Sequence, residues 1–471
     1  MQAQIFFGSS ESLGENFAQR QSPYSGEVVS TAPICDAKDA IKALKIASSA
    51  RKAAKSSTLS QRCDWLLDVA SKLREQKEDI ARTITDEVGK PIAFARVEVE
   101  RCIETVTLSA ETMRTMHGET INTDAMASGK KTLSFFRREP VGVVVAITPF
   151  NFPLNLVAHK LAPALVAGNT VVLKPTPEAP LTAYKFAKLF IESEFAVKDA
   201  LSVVYGDAEV GSALITSDIP RVVSFTGSVP VGNVIAKNAG IKKVGLELGG
   251  NAATFVEKSA DLAYAAARCA LGAFVNSGQV CISLQRIYVQ AEVYEEFASL
   301  MAEETKKLKV GSPYDDDTFM GPLIDDEAAS RAMGWIESAM EEGAIPLLPP
   351  KREGRMFYPC VMANVTDDMA IVCEEVFAPI VSLVKVDSFD DALPRMNNSP
   401  YGLQFSVFTN DLSVMNRAID ELDAGGIVIN DMPTLRFDIQ PYGGVKLSGV
   451  GREGPRFAIE EMTEIKSVVI C

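Results

Sequence analysis

Two segments of otherwise apolar sequence each carry one reactive group. Phe274-Val275-Asn276-Ser277-Gly278-Gln279-Val280-Cys281 ends on a thiol, and Leu246-Glu247-Leu248-Gly249-Gly250 holds a carboxylate. A thiol with a reference pKa of about 8.5 is only a few per cent thiolate at neutral pH, yet its sulfur is intrinsically far more nucleophilic than a hydroxyl oxygen. A carboxylate beside it can handle protons, so the pair reads as a nucleophile and a base. Taken alone, Cys281 reads as a small buried core residue, the commoner fate of an intracellular cysteine. Other chemistries have little material. His117 and His159 are the only histidines, too few for a multi-histidine metal site and a poor basis for a Ser-His-Asp triad. The eight cysteines are scattered without CxxC pairs, so no zinc site and no disulfide framework is signalled and no metal is expected.

The elements that must position these groups follow from periodicity. Over 36–116 the apolar residues recur at helical spacing, as in Ala40, Ile41, Ala43, Leu44 and Ala47, then Trp65, Leu66, Val69, Ala70 and Leu73. Residues 120–139 change to an alternating pattern that predicts a strand pair projecting from the body. From there strands are predicted at 141–148, 170–173, 201–205, 222–226 and 244–248, separated by helices after Pro153, Pro180, Ala208 and Pro230. A second alternation places strands at 252–256, 287–289, 380–384, 406–409 and 427–430. Such alternation implies mostly parallel sheets covered on both faces, with ligands at the carboxyl ends of the strands. The β-branched run at 464–470 is expected to pair with the strands around Leu133, across a subunit boundary.

Bulk properties set the class. At 471 residues the chain is too long for one core, and its 47% hydrophobic residues suffice for a folded protein. A net charge of −14 with no basic cluster argues against nucleic-acid binding. The first residues, Met1-Gln2-Ala3-Gln4-Ile5-Phe6-Phe7-Gly8, lack a basic leader, and no apolar run is long enough to span a bilayer, so the cytoplasm is the expected location and no membrane partner is expected.

Seven stretches in order resemble the aldehyde dehydrogenase superfamily: Thr148-Pro149-Phe150-Asn151-Phe152-Pro153, Leu173-Lys174-Pro175, Phe225-Thr226-Gly227-Ser228 with Gly232, the Glu247 segment, Gly278-Gln279-Val280-Cys281, Glu374-Glu375-Val376-Phe377-Ala378-Pro379, and Pro441-Tyr442-Gly443-Gly444-Val445-Lys446 with Gly451-Arg452-Glu453. The resemblance covers nearly the whole chain. It implies an α/β architecture with a Rossmann-like NAD(P)-binding domain over 1–118 and 140–246, an α/β catalytic domain over 247–440, and a small β flap for oligomerisation from 119–139 and 455–471. It also implies a homodimer or homotetramer that oxidises an aldehyde to a carboxylic acid with NAD or NADP. Cys281 would add to the carbonyl to give a thiohemiacetal, with the Asn151 amide and the Cys281 backbone N–H facing the oxyanion. Glu247 would activate water against the ensuing thioester, and Lys160 and Glu453 would relay its proton.

For the cofactor, the resemblance assigns Thr148, Pro149, Phe150, Lys174, Glu178, Gly227, Ser228, Gly232, Leu248, Glu375 and Phe377. The turn at Thr226-Gly227-Ser228 would present backbone N–H groups and a helix dipole to the pyrophosphate in place of a GxGxxG fingerprint. Pro177 stands where NAD-preferring relatives often carry a glutamate, with Glu178 one place later, so NADP is admitted as well. Ala378 replaces the usual glycine. The substrate tunnel is assigned to Phe152, Leu156, His159, Val280, Ile282, Arg436, Phe437 and Tyr442. An arginine there suits an anionic or hydroxylated short aldehyde of lactaldehyde, phosphorylated or sulfonated type. Arg436 reads equally as a loop-surface partner of Asp438 or Asp431. Two alternatives to hydrolytic oxidation stand beside it, a coenzyme A-acylating relative, which Glu247 disfavours, and a non-catalytic structural member of the fold.

Overall fold

The structure is a computed structural model that describes residues 1–471. Four helices come first: Ala37–Ser56, Leu59–Glu75, Lys77–Val88 and Ile92–Thr115. The first opens on a capping box in which the Asp36 carboxylate accepts from the Lys38 and Asp39 N–H groups, satisfying donors that a helix start leaves free. The first packs on an eight-stranded sheet, and the other three pack on the helices Asn155–Val166 and Pro180–Ile191 that cover it; the sheet is ordered Ser10–Ser12, Ile5–Phe7, Leu201–Val203, Thr170–Lys174, Val143–Ile147, Val222–Thr226, Lys243–Glu247, Gly449–Val450.

The five central strands are parallel, and Val143–Ile147 and Thr170–Lys174 are buried along their whole length, which their Val-rich sequences require. The chain runs outward from Val143–Ile147 through Thr170–Lys174 to Leu201–Val203, then returns to Val222–Thr226 on the other side. That reversal opens a crevice at the carboxyl ends of Val143–Ile147 and Val222–Thr226, the place where α/β sheets bind ligands.

A second sheet is ordered Ile345–Pro346, Cys360–Ala363, Ile380–Val386, Leu284–Gln290, Ala252–Val256, Gln404–Phe408, Gly426–Ile429. Its strand Cys360–Ala363 has no counterpart among the predicted ones. Four apolar residues give too short a period to read, and the strand is set by parallel pairing with Ile380–Val386. The two sheets establish an α/β protein of the expected class.

A third, three-stranded sheet joins Thr120–Ile121, Leu133–Pro140 and Thr463–Ile470. Here the structure corrects an expectation. The C-terminal run pairs antiparallel with Leu133–Pro140 of its own chain, in register from Thr463 opposite Pro140 to Ile470 opposite Leu133, and crosses no subunit boundary. The hydrophobic alternation specifies the pairing but carries nothing about which chain supplies the partner.

Candidate active site

Cys281 follows a turn with an unusual backbone. Asn276, Ser277 and Gly278 all have positive φ, at 51°, 56° and 71°. For the two non-glycine residues this region costs roughly 1–2 kcal/mol each. Three bonds offset it. The Ser277 hydroxyl donates to the Gly321 carbonyl at 2.8 Å, the Ile324 N–H donates to Gln279 Oε1 at 3.0 Å, and the Asn276 amide donates to the Asn151 carbonyl at 3.4 Å. Two glycines let other segments close on the turn. A Cβ on Gly278 would lie 2.3 Å from the Ala378 carbonyl oxygen, and one on Gly250 would lie 2.2 Å from that of Cys281.

The Cys281 sulfur lies 3.0 Å from the Tyr442 hydroxyl, and its backbone N–H has no hydrogen-bond partner in the chain. Burial pushes the thiol up to about 11, and the Tyr442 hydrogen bond and the Arg436 charge pull against that rise. Asn151 sits beside the turn, with its side-chain N–H donating to the Gln279 carbonyl at 3.0 Å and its Oδ1 accepting from the Phe152 N–H at 3.1 Å. The second N–H of the Asn151 amide has no hydrogen-bond partner in the chain and is the one left for an oxyanion.

Glu247 is the last residue of Lys243–Glu247, buried, and its Oε2 has no partner. Desolvation, reinforced by the charge of Glu453, holds its carboxyl well above the usual carboxylate range. Glu453 experiences the opposite. Lys160 at 3.1 Å and Arg436 at 3.2 Å outweigh its burial and hold it down at about 2. Lys160 also donates to Ser224 at 3.2 Å, and Lys160 and His159 lie behind the site and outside the lining of the main cavity.

Arg436 is buried. Its guanidinium stacks 3.7 Å from the Tyr442 ring centroid and faces Asp438 at 3.4 Å and His159 at 3.2 Å. The loop-surface reading is therefore corrected in its setting. Asp438 is an interior partner, and Asp431 pairs with Arg268 at 2.6 Å.

At the other end of the crevice, the Thr226-Gly227-Ser228 turn opens the helix Val229–Asn238, whose Ser228 caps with no side-chain bond. The Gly227 N–H donates to the Glu247 carbonyl at 3.0 Å, which ties this turn to the end of the neighbouring strand. Gly232 is tight against Leu248, where a Cβ would lie 2.5 Å from that side chain. Glu375, raised by burial to about 7, accepts from the Gly250 N–H at 3.0 Å, and Phe377 meets Phe150 edge to face at 6.0 Å.

The Thr148 and Thr226 hydroxyls are buried without partners, and the ammonium of buried Lys174 forms no hydrogen bond or ion pair. Glu178 is drawn back to the Thr176 hydroxyl. Unpartnered donors, a free helix N-terminus and a half-exposed aromatic pair suit a phosphate-bearing dinucleotide with a flat ring.

One cavity of about 500 Å³ joins the two ends. It is lined by Gly227, Ser228, Leu248, Glu375 and Phe377 on one side and by Cys281, Glu247, Asn151, Glu453, Arg436 and Tyr442 on the other, with Pro149, Phe150, Phe152, Leu156, Val280 and Ile282 between them. Phe437 is 55% exposed and lies outside it. Thr148, Lys174, Glu178 and Gly232 stand beyond its lining.

Residues that the sequence did not single out complete the mouth. Arg101, on Ile92–Thr115, grips Asp438 with two bonds of 2.8 and 2.9 Å, and Lys90 pairs with Glu98 beneath the Phe152 ring. Glu98 in turn accepts the Leu154 and Asn155 N–H groups at 2.9 and 3.1 Å, capping the helix Asn155–Val166. No periodicity marks these residues, since Arg101 and Asp438 are 337 positions apart. No cluster of His, Cys, Asp or Glu is placed to hold a metal ion.

A crevice at a sheet reversal, with a cysteine and a buried carboxyl lining one cavity, has the layout of a nucleotide-cofactor enzyme. The chain belongs to the aldehyde dehydrogenase family, whose model matches residues 9–468, and it is an NAD(P)-dependent aldehyde dehydrogenase. It is 45% identical to a 3-sulfolactaldehyde dehydrogenase of Priestia aryabhattai, over 87% of this chain and 86% of that one. A lactaldehyde dehydrogenase of Methanococcus aeolicus is 38% identical over 98% and 99% of the two chains. Among solved structures, an NADP-dependent glyceraldehyde-3-phosphate dehydrogenase from Bacillus halodurans complexed with NADP superposes with a TM-score of 0.97 at 34% identity, covering 100% of this chain and 99% of its own.

Proposed function

We propose that this enzyme oxidises a short hydroxyaldehyde carrying a small or anionic end, of the lactaldehyde or sulfolactaldehyde type, to the free carboxylic acid. Cys281 Sγ attacks the carbonyl carbon. The sulfur attacks as the thiolate, the S–C bond forms as the carbonyl π electrons move to oxygen, and the oxygen becomes an oxyanion facing the free Cys281 N–H and the Asn151 amide. Donors of this kind lower such barriers by roughly 3–4 kcal/mol.

The bound cofactor supplies a hydride acceptor. Thr226, Gly227 and Ser228 would hold its pyrophosphate, Lys174 its adenosine ribose, Glu375 its nicotinamide ribose, and Phe150 and Phe377 its ring. Glu247 then takes a proton from water as the water oxygen bonds to the acyl carbon, the C–S bond breaks and the thiolate is regenerated. Glu453 and Lys160 stand behind Glu247 to move that proton on. The observation that carries this reading is the buried, unpartnered Oε2 of Glu247 in the same cavity as Cys281, since a base aimed at water needs a free lone pair.

The anionic class is supported by Lys90, Arg101, Arg331 and Arg436 in the cavity lining and by the sulfonated substrate in the name of the Priestia relative, while the neutral lactaldehyde of the Methanococcus relative supports the short hydroxylated class. Arg436 is engaged with Glu453, His159 and Asp438, whereas Arg101, in the cavity lining, bonds Asp438 through Nε and Nη2 and keeps Nη1 without a hydrogen-bond partner. Arg101 is therefore the better reader of a distal anion. Unpaired Lys174 supports acceptance of a 2′-phosphate and hence NADP. Eight unpaired cysteines support a reducing, cytoplasmic setting, and no helix is long and apolar enough to cross a membrane.

The deciding assay oxidises sulfonated, phosphorylated and neutral hydroxyaldehydes with NAD or NADP and identifies the product. Formation of the free acid that Cys281→Ala abolishes supports the proposal. An acyl-coenzyme A product, or turnover that survives Cys281→Ala, overturns it. Arg101→Met is expected to lower kcat/KM for the sulfonated over the neutral aldehyde by about tenfold, the equivalent of one charge-assisted bond.

A further inference from the structure

The Tyr442 ring is buried against Val280, Ile282 and Leu403, and its backbone is bridged in both directions to that of Glu453, with N···O distances of 3.1 and 2.6 Å. Its hydroxyl is thereby fixed 3.0 Å from the Cys281 sulfur, while its other face carries the Arg436 guanidinium at 3.7 Å. Arg436 is itself held by Glu453 and Asp438. A packing role for the ring would be served equally by phenylalanine. The hydroxyl needs another reason to lie against the reacting atom.

We infer that Tyr442 is a catalytic residue that poises the Cys281 thiolate: its hydroxyl donates to the ionised sulfur, and the Arg436 cation stacked on its ring strengthens that donor. The inference rests on the reading of Cys281 as nucleophile. In the resting thiol the S–H donates to the phenol oxygen. On ionisation the bond reverses, so one contact serves both states without movement. Hydrogen bonds to an ionised acceptor are roughly twice as strong as neutral ones, and a cation over an aromatic face draws density from the ring. Burial holds the phenol well above its ordinary range, so it keeps its proton and remains a donor. The charged groups around the sulfur are Arg436, which favours the thiolate, and Glu375 and Glu247, which oppose it. Tyr442 and Arg436 are the groups that offset burial and these two carboxyls at the sulfur.

The test is the pH dependence of Cys281 alkylation by iodoacetamide in the full-length enzyme, resolved from Cys373 and Cys471 by peptide mass spectrometry. Tyr442→Phe keeps the ring and removes the donor. Its inflection is expected about one pH unit above wild type, with alkylation about tenfold slower below the inflection and equal above it. Arg436→Met is expected to move the inflection the same way. A fluorinated tyrosine at position 442, a stronger donor of nearly the same size, is expected to move it down, which a structural role would not do, and this arm also serves if Tyr442→Phe folds poorly. Superimposed profiles, or slowing by one factor at every pH, overturn the inference. The assay reads the thiol without turnover. Turnover that survives Cys281→Ala, with the shifts present in the enzyme that retains Cys281, would refute the nucleophile and leave the Tyr442 contact standing.

Discussion

Glu247 and Glu453 share one buried cluster with pKa values displaced in opposite directions, and the difference lies in what each faces. Glu453 has Lys160 and Arg436 within 3.2 Å, whereas Glu247 Oε2 has no partner and Glu453 as a negative neighbour. In the proposed mechanism Glu247 works only when ionised. Since its folded pKa is raised, the steady rate should climb with pH along a limb well above the usual carboxylate range. Glu247→Gln should remove that limb and leave a burst of NAD(P)H followed by a steady rate about a hundredfold slower. A proportional loss in burst and steady phase would instead assign Glu247 to a step before the acyl enzyme.

For Glu453 the sign is reversed. Its pKa is depressed to about 2, so its contribution to stability is present above the ordinary carboxylate pKa and is lost as the pH falls from there toward 2. Glu453→Gln leaves Lys160 and Arg436 short of a buried partner and should cost about 3–5 kcal/mol at pH 7 in denaturant unfolding, with the deficit narrowing as the pH falls through that window. Cys281, Glu247 and Asn151 were legible because each sits in a motif of neighbouring residues. Arg101 and the interior role of Asp438 were not, because their signal is a contact between distant segments.

Among elements, the turn Val275–Gly278 does most to aim the thiol. Gly278 combines a φ of +71° with the Ala378 carbonyl 2.3 Å from where a Cβ would stand, and that neighbour is backbone that cannot swing aside. Gly278→Ala should therefore shift the turn and carry the Cys281 N–H off line. We expect kcat to fall by more than tenfold while KM for the cofactor changes little, because the Thr226-Gly227-Ser228 turn is held separately by the Glu247 carbonyl. Equal losses in kcat and cofactor binding would mean that the two ends of the crevice move as one body. The predicted strands at 170–173, 222–226 and 252–256 match Thr170–Lys174, Val222–Thr226 and Ala252–Val256 closely, as apolar runs bounded by turn residues should. The left-handed turn could not be read, since Asn276 and Ser277 adopt that conformation only under the tertiary bonds that hold them.

Across the whole molecule, the strand Thr463–Ile470 forms the free edge of the three-stranded sheet, and it carries Ile465, Val469 and Ile470, each more than half exposed, beside Leu133. An open edge with apolar side chains is a surface that soluble proteins cover. It supports the proposal of a homodimer or homotetramer built through this sheet. The body does not depend on it. Asn169 donates to the Met462 carbonyl and Lys243 to the Thr463 carbonyl, so the last ties to the main sheet precede residue 464. Deleting 464–471 should therefore leave the far-ultraviolet circular dichroism of the body and the binding of NADP, followed by fluorescence, close to wild type. The same deletion strips Leu133–Pro140 of its partner and removes the exposed edge, so the mass in sedimentation velocity should fall to that of one chain. An unchanged assembly mass would show that the subunits meet elsewhere, and loss of NADP binding together with assembly would show that the cavity needs a second subunit to hold its shape.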